Sequence, residues 1–72
     1  MKIQPVESSY IVGIDPTIIS LDDAAAKLTE QGGVTITNIL REMNMILVRS
    51  ISPVISFEGV TWVEADQAVN AL

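Results

Sequence analysis

The sequence contains no cysteine and no histidine. Their joint absence removes disulfides, zinc sites built on either residue, the Ser-His-Asp triad and the cysteine nucleophile. The chain is therefore read as a non-enzyme, with no metal and no cofactor. Positive charge is nearly as scarce. Lys2, Lys27, Arg41 and Arg49 are the only cations, and the net charge is −5. Four scattered cations make no patch able to neutralise a phosphate backbone, so no nucleic acid partner is expected. Long apolar runs are missing too. The longest are four residues, as in Met45 to Val48, against the roughly 20 that a membrane helix needs, so no membrane partner is expected. Met1 to Ser9 lacks the apolar stretch of a signal peptide. The expectation is a cytoplasmic chain as encoded, or an extracellular one if it is cut from a secreted precursor.

What is present is apolar content. Hydrophobic residues make up 49% of 72 residues, enough for one small domain to build a core without a crosslink. Met1–Ser9 reads as a loose, Pro5-containing lead-in. Tyr10-Ile11-Val12-Gly13-Ile14 is a β-branched run stopped by Asp15-Pro16, which predicts a strand near 10–15. Ser20 is placed as a helix N-cap, with Asp23 three residues on and Ile19 before it as a staple. Asp22 and Asp23 complement the positive end of that helix. Leu21, Ala24, Ala25 and Leu28 form its apolar stripe, and Gly32-Gly33 ends it, which predicts a helix near 20–31. Val34–Leu40 and Met45–Val48 read as further strands separated by the polar turn Arg41–Asn44. Ser52-Pro53 resembles an N-cap with proline at the first helical position, so a short second helix is predicted near 53–57, closed by Gly59. Val60–Val63 is the fourth strand.

The order strand, helix, strand, strand, helix, strand predicts an α+β domain of ferredoxin-like βαββαβ type. It would have a four-stranded antiparallel sheet with two helices on one face, the second helix short. Helices on one face leave the other open, and an open face is ordinarily polar. Here apolar residues occupy both parities of the strands: Tyr10, Val12 and Ile14 against Ile11, Met45 and Leu47 against Ile46 and Val48, Trp62 against Val63. A sheet apolar on both sides is expected to carry a protein partner on the open face; the other readings are a second copy in a homodimer or simply an apolar small domain. The other candidate features reduce to structure. Asp22 and Asp23 serve the helix dipole, Gly32-Gly33 is a C-cap, and Met43 and Met45 fill core.

The C-terminal end remains to be explained. Tyr10-Ile11-Val12, Gly32-Gly33-Val34, Asn44 and, above all, Gly59-Val60-Thr61-Trp62-Val63-Glu64-Ala65-Asp66-Gln67 together resemble the subtilisin propeptide family, which includes free-standing protease inhibitors and cleavable prodomains. The resemblance spans roughly residues 10–72. It implies a lead-in over 1–9, an inhibitor domain over 10–66 and an inhibitory tail over 67–72. It implies a subtilisin-like serine protease as partner, bound by a product-like C-terminus. Leu72 would fill the primary specificity pocket, Ala71 the narrow site beside the catalytic histidine and Val69 the second apolar pocket, with Asn70 pointing outward. Glu64 and Asp66 would cap two helices on the protease surface. Three features depart from the family pattern: Met45 where glycine often follows the asparagine, Ala65 where an acid or proline is common, and a short second helix. The alternative, from another class, is a small non-catalytic module that docks or dimerises through the open sheet face.

Overall fold

The computed structural model describes residues 7–65. The elements are β1 (Ser8–Ile14), α1 (Leu21–Thr29), β2 (Val34–Leu40), a single 3-10 turn (Arg41–Met43), β3 (Met45–Ser50) and β4 (Val60–Ala65). The four strands form one sheet in the order β2-β3-β1-β4, and every neighbouring pair is antiparallel. The class is α+β, as the element pattern predicts.

Local chemistry explains most of these elements. Ser20 takes an extended backbone and its hydroxyl accepts from the Asp23 N–H at 3.0 Å, satisfying one of the unpaired donors that open α1. Asp22 and Asp23 stand in the first turn, where negative charge complements the helix dipole. The turn between β2 and β3 closes on Asn44, whose φ of 55° is left-handed. Asparagine tolerates that conformation better than most residues. β1 starts at Ser8, two residues earlier than predicted, because Ser8 and Ser9 pair with Ser50 and Arg49 of β3.

α1 lies on one face of the sheet. Leu21, Ala24 and Leu28 from the helix meet Val12 and Ile14 of β1 and Ile46 and Val48 of β3 in a continuous buried core. Leu28, Val12 and Ile46 are fully buried, and each such side chain contributes about 1.5–3 kcal/mol by leaving water. Of the two methionines read from the sequence as core filler, Met45 lies outside the core packed by α1 and Met43 is 62% exposed. It sits in the 3-10 turn, outside the strand alternation that would have carried it inward.

Both edge strands contain a bulge. In β2, Ile36 pairs with Val48 and Asn38 with the next residue, Leu47, which leaves Thr37 as the extra residue. In β4, Val60 pairs with Ile14 and Trp62 with Gly13, which leaves Thr61 extra. Each bulge swaps the facing of the residues beyond it, so that Val34, Ile36 and Ile39, and likewise Val60 and Val63, all pack on the core.

The second helix predicted near 53–57 is not formed. Residues 52–58 instead run as an irregular strap back to β4. Three contacts account for this. The Ser50 hydroxyl donates to the Ser52 carbonyl and accepts from the Ser52 N–H, so the carbonyl that would receive the first helical bond already has a donor. The Gln31 carboxamide holds both the N–H and the carbonyl of Ile55. Val54 and Phe57 pack against the core, while Ile55 is 68% exposed. A segment of so few residues, with β-branched Val54 and Ile55, has little helical stability of its own. Gly59 ends the strap at a φ of 104°, close against Ile19, where a side chain would collide.

Candidate functional site

The face of the sheet away from α1 is built by the residues that alternate with the core. Across the strand order they fall into rows. One row is Leu40, Met45, Gly13 and Trp62; the next is Asn38, Leu47, Ile11 and Glu64; a third brings Thr35, Arg49 and Ser9 together. None of the apolar members of these rows belongs to the core packed by α1. Ile11, Leu40, Met45 and Leu47 are half-buried, and Trp62 is 42% exposed. The expectation of a sheet apolar on both sides is met in the folded chain. The face grades from apolar at the row of Trp62 to polar at the row of Arg49.

Trp62 owes its position to two features. The bulge at Thr61 turns it outward although Val60, two residues earlier, points inward. Gly13 lies directly beneath it. A Cβ at Gly13 would overlap the five-membered ring of the indole, with Cδ1 at 2.7 Å. Glycine is what lets the indole rest on the backbone of β1. The sequence singles out Trp62 only by its parity and does not display this seat. A lone glycine inside a β-branched strand is the signal that could have found it.

Of the predicted site residues, Glu64 lies within the described structure. It is exposed, in β4, directly opposite Ile11 and on the same face as Trp62. It therefore sits at the rim of the open face, one residue before the end of the described chain. Asp66, Val69, Asn70, Ala71 and Leu72 lie outside the described residues.

The charges around this face are mostly negative. Arg49 stands 3.8 Å from Glu7, and Arg41, at the other end, is bonded to Asp22 at 2.9 Å. Glu42 occupies the turn that joins Leu40 to Met45, and Glu64 the opposite edge. Among the described residues, no group of three or more His, Cys, Asp or Glu side chains could hold a metal ion, and no helix is long and apolar enough to cross a membrane. On the helix side, Lys27, Glu30, Gln31, Ile55, Ser56 and Phe57 border a shallow groove between α1 and the strap. Comparison with known proteins gives no matching family, no matching curated protein and no matching solved structure.

Proposed function

We propose that the chain is a protein inhibitor, or a folding prodomain, of a subtilisin-like serine protease. The observation that carries this reading is the open sheet face, apolar along the row of Trp62 and Met45 and rimmed by Glu64 at the point where β4 runs on towards the tail. An apolar face with an acid at its edge suits a protein surface that offers aliphatic side chains and helix N-termini. The strand order β2-β3-β1-β4 supports assigning the domain to the ferredoxin-like topology, with the strap in the place of the second helix.

In this reading the sheet holds the inhibitor on the protease while residues 67–72 lie as an added strand in the substrate cleft. Main-chain hydrogen bonds supply affinity and alternate side chains supply selectivity. Leu72 fills the primary specificity pocket. Ala71 and Val69 occupy the neighbouring sites, and Asn70 faces solvent.

Inhibition constants against a subtilisin-like protease with an apolar primary pocket test the reading. Deleting Ala71-Leu72 is expected to weaken inhibition at least about tenfold, which corresponds to about 1.4 kcal/mol. Leu72→Asp is expected to do the same, because it sends a charge into an apolar pocket. If the full and shortened chains inhibit equally, the tail mechanism fails. If neither inhibits, the docking or dimerisation module takes its place.

A further inference from the structure

We infer that Trp62, seated on Gly13, is the anchor by which the open face grips its protein partner, and that this partner is a positively charged, apolar-centred surface of another protein and not a second copy of the chain. The inference rests on the inhibitor reading above and adds to it the residue that dominates the contact.

Three observations support it. The indole is 42% exposed and belongs to the chain's one tryptophan, a residue type enriched in binding hot spots. The indole is also held in place before binding. Its five-membered ring lies over Gly13, where any side chain would displace it, and the bulge at Thr61 fixes the direction from which it approaches. A large side chain already in position loses little freedom when a partner covers it. The same row continues through Met45 to Leu40, which gives the partner a strip running from edge to edge, with Glu42 and Glu64 at its two ends.

Charge selects the occupant. The chain carries −5 overall, and the two arginines nearest this face already face acids of their own chain, Glu7 and Asp22. A second copy would set an acidic rim against an acidic rim. A partner with positive potential around an apolar centre meets both the rim and the row of Trp62.

The test combines inhibition constants against a subtilisin-like protease with 19F NMR of the full chain labelled with 5-fluorotryptophan, which reports Trp62 alone. Trp62→Ala is expected to weaken inhibition at least tenfold. Gly13→Ala should also weaken it, and should move the 19F signal of the free chain by lifting the indole from its seat. The double variant should inhibit no worse than Trp62→Ala, because both changes remove one contact. Trp62→Lys keeps an aliphatic stem on the strand if Trp62→Ala folds poorly, and it is expected to lose inhibition to the same degree. Wild-type inhibition by the Lys variant, in a chain that still loses inhibition when Ala71-Leu72 is removed, overturns the anchor and leaves the inhibitor reading standing. No inhibition by the wild-type chain overturns both. A 19F signal that moves with concentration of the free chain, matched by a dimer in sedimentation, makes the second copy the occupant and overturns the choice of partner.

Discussion

The carboxamide of Gln31 grips both sides of Ile55, its nitrogen donating to the carbonyl at 2.7 Å and its oxygen accepting from the N–H at 3.0 Å. One side chain thus does for an irregular segment what a neighbouring strand does for a paired one. Gln31 lies just beyond the end of α1, so the bond ties the end of the helix to the strap.

Removing that amide should loosen the strap without unfolding the sheet. Gln31→Ala is expected to cost about 0.5–1.5 kcal/mol, in the range of a net hydrogen bond, since both bonds are solvent-exposed. Gln31→Glu should be at least as harmful, since it keeps the acceptor for the Ile55 N–H but turns a carboxylate oxygen towards the Ile55 carbonyl. Urea unfolding measures the loss, and hydrogen exchange at the Ile55 amide locates it. Unchanged exchange at that amide in both variants would show that the strap is held by Val54 and Phe57 alone.

Asp15 gives a pH dependence whose sign is set by its partners. The Thr17 hydroxyl donates to its carboxylate at 2.6 Å and the Thr17 N–H at 2.9 Å. These bonds hold the Asp15 carboxyl below its ordinary value, the hydroxyl contributing most, and slight desolvation opposes them. The folded value is the lower one, so the stabilisation is complete above the unfolded carboxylate range and disappears as pH falls through the folded value. Asp15→Asn keeps the acceptor oxygen and loses the charge. Its melting temperature should lie below that of the wild type at neutral pH, and the two should converge in acid. A gap that stays constant from neutral to strongly acidic pH would refute the coupling.

Glu64 and Asp66 should matter for binding and not for folding. Glu64 is exposed on an edge strand, and no hydrogen bond or ion pair of its side chain is found among the described residues. Replacing both acids with alanine is expected to weaken protease inhibition, by about 0.5–2 kcal/mol for each helix end left uncapped. The denaturation midpoint should barely move. Equal inhibition by the double variant would reduce the two acids to solvating charges.

Where the determinants of structure are local, the sequence displays them openly. Ser20 and Asp23 announce the start of α1, and the β-branched runs mark all four strands, because caps and strand propensity depend on near neighbours. The strap is hidden for the opposite reason. Ser52-Pro53 has the composition of a helix start, but the group that decides the matter is the side chain of Gln31, twenty-four residues before Ile55. The bulges are hidden as well. Strict alternation puts Val60 and Trp62 on the same face, and only the pairing with β1 shows that Thr61 is skipped. At the candidate site, the two-sided apolar pattern and Glu64 can be read from the sequence, whereas the seat of Trp62 on Gly13 requires the register of two strands far apart in the chain.

The bulges have a meaning for how the gene can change. Thr37 and Thr61 are the residues that their strands skip, so an in-frame loss of either codon would restore an unbroken ladder and leave every other side chain on its present face. Loss of the codon for Thr35, by contrast, would turn either Val34 or Ile36 from the core to the open face. Tolerance of deletion is therefore concentrated at two threonines. Both sit in strands where ordinary substitution would have suggested nothing special about them.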